Sequence, residues 1–274
     1  MLDQDHFSSY AMGHWLRSDS SGRQIRSAVT GETLGVLGGV PDVAAMRDYA
    51  KSHGGPALRA LNFHDRARML KALALHLKAH RKALYDLSFL TGATLADSQI
   101  DIDGGIGTLL VYASKGRREM PEGFVLPDGE LEVLSRDGSF LGQHVLTPRQ
   151  GISLQINAFN FPVWGMLEKL APSLLAGVPS LVKPASDTGY LTQAVVRLIA
   201  DSGILPDGAL QLIMGATGDL LDCLDAQDTV GFTGSAATAM ALRSRPSLLQ
   251  NAVRFTSEQD SLNGSVLGPD WMLG

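Results

Sequence analysis

Hydrophobic and polar positions alternate with helical spacing over most of residues 1–120. The stretch HDRARMLKALALHLKAHRKALYDLSFLTG predicts a long amphipathic helix that ends at Gly92. A second helix is predicted in DSQIDIDGGIGTLLVYASKGRREMP, where Gly104 and Gly105 weaken the helical preference and favour close helix packing. We therefore expect a mostly helical amino-terminal part.

The pattern changes in residues 121–150. Short alternating runs are separated by Pro-Asp-Gly and Arg-Asp-Gly turns, which predicts a β-hairpin or a β-meander that projects from the helical body. Its outer strand would have unpaired N–H and C=O groups, and such edges pair readily with another chain. We expect a homo-oligomer that forms through this hairpin and through the open end of the sheet near 264–268.

From residue 151 onward, apolar strand-like runs alternate with amphipathic helices. Strands are predicted in GISLQIN, PSLVKP, LQLIMG, TVGFTG and NAVRFT, and helices at 162–177, 187–202, 216–224 and 235–245. This alternation indicates a parallel sheet with helices on both faces. The predicted fold class is α/β, a Rossmann-like doubly wound core over 151–274 that follows the amino-terminal helices and the hairpin.

Polar residues and glycines follow five consecutive strands of this core, where parallel sheets bind their ligands. These positions are Asn157, Asn160, Lys183, Ser186, Gly215, Thr233, Gly234, Ser235 and Glu258. A buried amide without a partner is costly, so the two asparagines should have partners in the protein or in a ligand. Gly234 and Ser235 precede a helix, where they would either bind a pyrophosphate or form an ordinary helix cap.

The composition and net charge limit the classes of partner that we expect the protein to bind. The 274-residue chain is 45% hydrophobic and has a net charge of −5, without a basic stripe, so nucleic acid is not an expected partner. No hydrophobic run has the length of a membrane span, and the seven histidines lack metal-ligand spacing. The single cysteine, Cys223, excludes an internal disulfide and fits a reducing cytoplasm.

Four motifs, NAFNFP, VKPAS, FTGS and FTSEQDSLN, occur here in the order typical of the aldehyde dehydrogenase superfamily. The chain resembles that superfamily over nearly its whole length. DIDGGIGTLLVYAS, INAFNFPVWGMLEKLAP, GDLLDCLDAQD and EQDSLN resemble most the dehydrogenase half of bifunctional phenylacetate-degradation proteins. The 3,4-dehydroadipyl-CoA semialdehyde dehydrogenases of benzoyl-CoA catabolism come second. Both branches imply an aldehyde substrate linked to CoA.

The resemblance implies roles for particular residues. Asn160 matches the amide that stabilises the oxyanion, and Glu258 matches the general base that activates water. The positions expected to contact the cofactor are Ile156, Asn157, Ala158, Phe159, Lys183, Ser186, Gly215, Phe232, Gly234, Ser235 and Gln259. Ser186 stands where many NAD-using relatives have Glu, which removes a repulsion against a 2′-phosphate. We expect NADP as the cofactor, with NAD as the alternative.

In the family, a cysteine thiolate attacks the aldehyde, and this cysteine lies some tens of residues beyond the general base. The resemblance implies that residues 1–274 form the amino-terminal half of the fold and lack that segment. Cys223 precedes FTGS in a predicted helix beside the sheet, where packing is expected rather than reactivity. Two functions stay open: a dehydrogenase half that is inactive alone, or a non-catalytic nucleotide-binding or assembly module.

Overall fold

A mixed β-sheet is the centre of the fold. The structure, a computed structural model, describes residues 6–17, 22–39, 41–216 and 219–262, and also 264, 266 and 268. Within these residues the strands are β1 (His6–Ala11), β2 (His14–Arg17), β3 (Arg23–Arg26), β4 (Thr33–Leu37), β5 (Leu126–Val133), β6 (Leu141–Leu146), β7 (Ser153–Ile156), β8 (Ser180–Lys183), β9 (Leu210–Leu212), β10 (Thr229–Gly234) and β11 (Arg254–Gln259). Nine of them form the main sheet in the order β11-β10-β7-β8-β9-β1-β4-β3, with β2 paired to β1.

Helices cover both faces of this sheet. They are α1 (Val43–Tyr49), α2 (Gly55–Arg59), α3 (Phe63–Ser88), α4 (Leu95–Arg118), α5 (Trp164–Leu175), α6 (Gly189–Ser202), α7 (Ala236–Arg243) and α8 (Pro246–Gln250). A π-helical segment at Ala50–Gly54 joins α1 to α2, and a 3-10 turn at Phe89–Thr91 follows α3. Gly92 ends that turn with φ of 89°, a left-handed conformation that favours glycine, as the sequence predicted.

The carboxyl-terminal half confirms the predicted doubly wound sheet. Strands β7, β8 and β9 follow one another on one side, β10 lies on the other side of β7, and all these neighbours are parallel. The chain order therefore reverses between β7 and β10, and such a switch point opens a ligand crevice at the carboxyl ends of the strands.

The helix predicted at 216–224 was wrong. The chain forms turns at 219–223, and residues 217 and 218 lie outside the described part. Leu220, Leu221 and Leu224 are buried against the sheet. Their apolar spacing, which imitates helical periodicity, reflects this packing of a turn.

The amino-terminal part is mostly helical from residue 43 onward, but the sequence prediction missed four strands before it. These strands have four to six residues each, and β3 buries only Ile25. So short a strand with one buried side chain gives no period-two signal. Strand β1 is held in place from a distance, because Tyr10 pairs with Leu212 of β9.

The hairpin prediction is confirmed, since β5 and β6 form a separate two-stranded antiparallel sheet. Large apolar side chains along it are exposed, including Leu131, Val133, Leu141, Val145 and Leu146. A two-stranded sheet is marginally stable by itself. Of the predicted strand near 264–268, residues 265 and 267 lie outside the described part, and residues 264, 266 and 268 are not in a strand. Among the described helices, none combines the length and apolarity that crossing a membrane requires.

Candidate active site

Strand β7 delivers the NAFNFP segment to the carboxyl edge of the sheet. Its last residue, Ile156, is buried and pairs with Lys183 of β8 on one side and with Phe232 of β10 on the other. Asn157 continues the ladder, because its N–H donates to the Lys183 carbonyl at 3.0 Å. The chain leaves the sheet after this bond, directly at the switch point.

The Asn157 side chain is buried, with 4% of its surface exposed. Neither its amide nitrogen nor its amide oxygen has a hydrogen-bond partner among the described residues. Burying an amide without hydrogen-bond partners costs about 2–7 kcal/mol. We therefore expect an ordered water or a bound group to form hydrogen bonds with the Asn157 side chain. The sequence argument for a partner therefore still applies to Asn157, for which the described residues supply none, but it was wrong for Asn160, whose side chain is exposed to solvent.

Helix α6 anchors the loop that carries Asn160. The Thr188 hydroxyl donates to the Phe159 carbonyl at 3.0 Å, and the Thr192 hydroxyl donates to the Pro162 carbonyl at 3.0 Å. The loop backbone is thus fixed on both sides of Asn160. The side chains of Phe159 and Asn160 remain exposed, and Ala158 is half-buried. The oxyanion candidate is therefore accessible on a fixed backbone.

Asp101 of α4 holds the start of α5 from the other side. One carboxylate oxygen accepts from the Trp164 N–H at 2.7 Å and from the Val163 N–H at 3.1 Å. Burial raises the pKa of Asp101 to about 6, while the two backbone N–H groups act in the opposite direction. The carboxylate satisfies free N–H groups at the positive end of the helix dipole.

Gly104 and Gly105 let α4 approach α5 closely, which confirms helix packing as their role. A Cβ at Gly104 would lie 2.6 Å from Cε3 of Trp164, and one at Gly105 would lie 3.0 Å from the Trp164 Cα. Real Cβ atoms essentially never come within 3.0 Å of another heavy atom, so a side chain at Gly104 would displace the Trp164 ring, and one at Gly105 would force its neighbours to move by a few tenths of an ångström. Trp164 is fixed by this contact together with the hydrogen bond to Asp101.

The loop after β7, the start of α5 and the ends of β10 and β11 enclose a cavity of about 250 Å³. It is lined by Ala158, Asn160, Phe161, Trp164, Gly165, Glu168, Thr233 and Glu258. Both predicted catalytic residues, Asn160 and Glu258, line this one cavity. A larger groove of about 700 Å³ continues past Glu168 and Glu258 along β10 and β11.

Glu258 is an exposed residue of the edge strand β11. It pairs in register with Thr233, whose hydroxyl lies 3.5 Å from a Glu258 carboxylate oxygen. Gln259 follows it, opposite Gly234, and is also exposed. The general-base candidate therefore has an open path to solvent, as activation of a water requires.

Ser235 caps α7, where its hydroxyl accepts from the Thr238 N–H at 3.1 Å. A carboxylate oxygen of Asp260 accepts from the Ala236 N–H at 2.8 Å. Two of the first N–H groups of α7 thus have partners in the protein. The cap function proposed as the alternative for Ser235 is present, and a pyrophosphate here would have to displace Asp260 or bind beside it.

Gly234 and Gly215 are explained by packing. A Cβ at Gly234 would lie 2.5 Å from the Phe232 ring, which is itself buried and stacks on Phe255. Gly215 has φ of +133°, and its Cβ would lie 3.0 Å from the Gly38 carbonyl oxygen. Contact of these residues with a cofactor is not needed to account for their identity.

Lys183 and Ser186 follow β8. Lys183 is buried, its ammonium donates to the Pro184 carbonyl at 2.8 Å, and burial lowers its pKa. Ser186 is half-buried. The neighbouring Asp187 forms an ion pair with Arg23 of β3. Arg23 therefore compensates the negative charge of Asp187 beside Ser186, a pairing that the sequence did not predict.

Cys223 lies in the turns at 219–223 and not in a helix as predicted. Its thiol lies 3.5 Å from the Leu220 carbonyl, and burial raises its pKa. It packs at the margin of the apolar cluster that contains Leu220 and Leu221, and it does not line the cavity of Asn160 and Glu258. A thiol with a raised pKa is a poor nucleophile at neutral pH.

Sequence reasoning missed Asp101, Glu168 and Asp260. For Asp101 a signal was available. The buried positions of α4 recur at helical spacing, and Asp101 falls on that apolar stripe, beside Ile102 and in line with Gly105. A charge on a buried stripe requires a partner. Glu168 and Asp260 gave no such signal, because their positions near the cavity and near α7 depend on tertiary structure.

Comparison with known proteins agrees with this geometry. The aldehyde dehydrogenase family profile matches residues 15–270. The chain belongs to the aldehyde dehydrogenase family, which consists of oxidoreductases.

Three similar proteins illustrate the relationship. The chain is 42% identical to the 3,4-dehydroadipyl-CoA semialdehyde dehydrogenase of Aromatoleum evansii over 264 residues, which cover 96% of this chain and 51% of that protein. The structure is similar to an NADP dependent enzyme of E. coli, with a TM-score of 0.80, 22% identity and coverage of 94% and 52%. It is also similar to a point variant of Staphylococcus aureus betaine aldehyde dehydrogenase in complex with NAD+, with a TM-score of 0.73, 24% identity and coverage of 94% and 50%. The chain spans about half the length of these relatives.

Proposed function

We propose that this chain binds NADP at the carboxyl ends of β7, β8 and β10 and serves the oxidation of a CoA-linked semialdehyde to the acid. The observation that carries the proposal is the cavity shared by Asn160 and Glu258. An amide donor and a carboxylate base that reach one space are the two groups needed to stabilise an oxyanion and to activate a water.

The residues around the switch point fit a dinucleotide in part. The unpartnered Asn157 amide, the Lys183 ammonium and the half-buried Ser186 hydroxyl lie at neighbouring strand ends. Asp260 at the start of α7 opposes a pyrophosphate there unless it moves. We therefore assign the ribose end to the β7 and β8 edge and expect Asp260 to change partners when the cofactor binds.

Charge favours NADP over NAD in this proposal. Ser186 is neutral, and the negative charge of Asp187 is offset by Arg23. Lys183 then supplies the positive charge for a 2′-phosphate. The NAD+ complex of the staphylococcal relative and the NADP dependence in the name of the E. coli relative keep both cofactors within the family's range.

Each residue has a defined task in the proposed reaction. The Asn160 side-chain N–H would donate to the carbonyl oxygen as negative charge develops on it. Glu258 would take a proton from water, and its exposure gives that proton a route to solvent. When bound, the cofactor accepts the hydride. Thr188, Thr192 and Asp101 would hold the loop of Asn160 in place throughout.

The substrate class rests on sequence similarity. The 42% identity to an enzyme named for 3,4-dehydroadipyl-CoA semialdehyde favours aromatic catabolism through CoA thioesters. It supports the benzoyl-CoA branch more directly than the phenylacetate branch, which the motifs alone had placed first. A single cysteine fits action in a reducing compartment, for which we propose the cytoplasm.

A non-catalytic nucleotide-binding module is the second candidate. The burial of Cys223 favours it for residues 1–274 taken alone. Retention of Asn160 and Glu258 at one cavity favours the dehydrogenase, because binding of a nucleotide needs neither group. Both candidates require the cofactor, and we propose that both would assemble through the exposed hairpin.

Calorimetry with residues 1–274 tests the cofactor site that both candidates share. We expect NADP to bind, and we expect Lys183→Met to weaken binding at least tenfold. Lys78→Met is the matched control, because Lys78 is an exposed residue of α3 outside the switch point. Absence of binding by both NADP and NAD, or equal effects of the two lysine substitutions, would refute the proposed site.

A further inference from the structure

The two charged side chains that line the Asn160 cavity are both acidic. Glu168 and Glu258 line it, and no basic side chain does so among the residues that the structure describes. The remaining lining is neutral, with Phe161 and Trp164 in an edge-to-face arrangement at 6.1 Å between ring centroids. The space therefore suits an uncharged chain and disfavours an anion.

The start of α5, which could otherwise bind an anion, already has a carboxylate partner in the protein. The free N–H groups at the start of a helix attract carboxylates, and α5 starts at the wall of this cavity. Asp101 accepts from the Val163 and Trp164 N–H groups at 3.1 and 2.7 Å. The helix end is thus neutralised from within the protein and offers no site to a substrate carboxylate.

Lys169 of α5 also has its hydrogen-bond partners within the protein. The Lys169 ammonium donates to the Glu168 carboxylate at 3.0 Å and to the Gly165 carbonyl at 3.0 Å. Its alkyl chain lies against Gly231, where an added Cβ would be 3.4 Å from the Lys169 Cδ. This directs Lys169 into the groove along β10, and it lines that groove but not the cavity.

Room in the cavity is available beside Glu168. A Cβ added at Gly165 would meet no atom within 4 Å, so this side of α5 is open. The aromatic pair of Phe161 and Trp164 bounds the space, and Glu168 stands one helical turn after Trp164. An acyl chain whose aldehyde carbon approaches Asn160 would pass this carboxylate.

We propose that Glu168 determines specificity, so that the site accepts semialdehydes whose second carboxyl group is masked as a neutral ester or thioester and rejects those with a free carboxylate. The inference rests on the proposed function and adds to it the feature of the site that distinguishes the two substrate classes. A CoA group remains compatible, because its phosphates lie at the far end of the pantetheine arm, beyond the Debye length of about 8 Å.

Paired probes test the inference on residues 1–274 loaded with NADP. The probes are methyl 5-oxopentanoate, which is neutral, and 5-oxopentanoate, which carries a free carboxylate. Binding is followed by Trp164 emission, and Trp164→Phe identifies the part of the signal that comes from the cavity. We expect the ester to bind at least tenfold more tightly, a factor that corresponds to about 1.4 kcal/mol.

Three substitutions distinguish the effect of the Glu168 carboxylate on probe binding from the effect of the protein's overall charge. Glu168→Gln should bring the two probes within about threefold of each other, mainly through tighter binding of the free acid. Lys169→Met should widen the difference, because it removes the cation paired with Glu168. Glu130→Gln, on the exposed hairpin, is the matched control and should change nothing.

The outcomes distinguish this inference from the proposed function. Equal binding of the two probes by wild type, or an unchanged ratio in Glu168→Gln, overturns the role of Glu168 while NADP binding still supports the proposed function. If NADP binds and neither probe changes Trp164 emission, the cavity is not an aldehyde site and the inference falls. If NADP does not bind, the proposed function falls, whichever probe is preferred.

Discussion

The carboxylate of Asp101 lies 2.7 Å from the backbone nitrogen of Trp164, across the interface of α4 and α5. This bond connects a residue of the amino-terminal helices to the first residue of the helix that follows Asn160. Asp101 and Trp164 are separated by 63 positions in the chain. The geometry around Asn160, the oxyanion candidate, thus depends on α4, which is distant in sequence. A change in α4 should be felt at the cavity.

The glycines of α4 allow a direct test of that dependence. We expect Gly104→Ala to destabilise the fold by about 1–3 kcal/mol, because the new methyl group would overlap the Trp164 ring. Gly107→Ala on the same helix meets open space and should stabilise by up to about 1 kcal/mol. Urea unfolding measures both, and the near-ultraviolet dichroism of Trp164 should change only in the first. Similar effects of the two substitutions would contradict the close approach of α4 and α5.

The pKa of Asp101 predicts a pH effect on stability. Burial raises this pKa from its ordinary value of 3.8 to about 6, so between these values the folded protein holds the proton more tightly than the unfolded chain. The contribution of Asp101 is present below pH 4 and is lost as pH rises through 6. Asp101→Asn should therefore gain stability relative to wild type between pH 4 and 7.5, by up to about 3 kcal/mol.

Asp97, on the same helix, serves as a control because its pKa is shifted in the opposite direction. Hydrogen bonds from Thr94 lower its pKa, so its contribution is present at neutral pH and is lost as pH falls. Asp97→Asn should lose stability relative to wild type as pH rises from 3 to 6. Unfolding free energies measured across pH decide the matter, and parallel pH profiles for the two variants would show that the environment of Asp101 is misassigned.

Cofactor preference should follow Ser186. Ser186→Glu places a carboxylate where we assign the 2′-phosphate, so NADP binding should weaken at least tenfold while NAD binding is kept or improved. Calorimetric titration of residues 1–274 with each cofactor measures the ratio. Ser114→Glu, an exposed position of α4, is the matched control. An unchanged ratio in Ser186→Glu would put the 2′ end of the ribose elsewhere.

Residues 1–274 alone should not oxidise aldehydes. Asn160 and Glu258 can stabilise an oxyanion and activate water, yet neither provides the thiolate that the family mechanism needs, and its loss costs several orders of magnitude in rate. The assay is NADPH formation with aliphatic and CoA-linked aldehydes, in wild type and in Cys223→Ser. Turnover that disappears in the variant would identify Cys223 as the nucleophile, contrary to its raised pKa and its place in the turns at 219–223.

Self-association should depend on the hairpin. Leu131 and Val133 of β5 are 55% and 64% exposed, and a second copy that covers them would gain apolar burial and strand pairing. We expect sedimentation to show oligomers of wild type, and mainly monomers for the double variant Leu131→Glu, Val133→Glu. Val29→Glu changes an exposed valine outside the hairpin and should leave the oligomers intact. A monomeric wild type at high micromolar concentration would refute the role of the hairpin.

The parts of the fold that the sequence predicted well are those with strong local periodicity. Helices α3 and α4, the hairpin and the strands β7, β8, β10 and β11 all carry such a signal. The strands β1–β4 did not, because they are only four to six residues long and their buried positions do not alternate regularly: β1 buries Phe7, Ser8, Ser9 and Ala11, whereas β3 buries only Ile25. The turns at 219–223 imitated a helix because three leucines are buried with similar spacing.

The residues of the candidate site also differ in whether a local sequence signal could identify them. Asn160 and Glu258 are marked by motifs at strand ends, and the structure brings them to one cavity. Glu168 and Asp260 became apparent only from their positions in space, since single acidic residues on a helix or after a strand are common on protein surfaces. Asp101 lies between these cases, because its place on the buried stripe of α4 could have indicated it.

The position of β1 next to β9 has a consequence for synthesis of the chain. The Met214 N–H donates to the Ser9 hydroxyl at 2.9 Å, and these residues are 205 positions apart. At translation rates of about 5–20 residues per second, β1 would wait on the order of 10–40 s after its own synthesis before its partner strand emerges. Strands β2 and β4 can pair with β1 earlier, but Phe7, which is 1% exposed in the finished protein, lacks its stacking partner Tyr190 until α6 has been made. Strand β1 is therefore a segment that a chaperone would be expected to shield in the nascent chain.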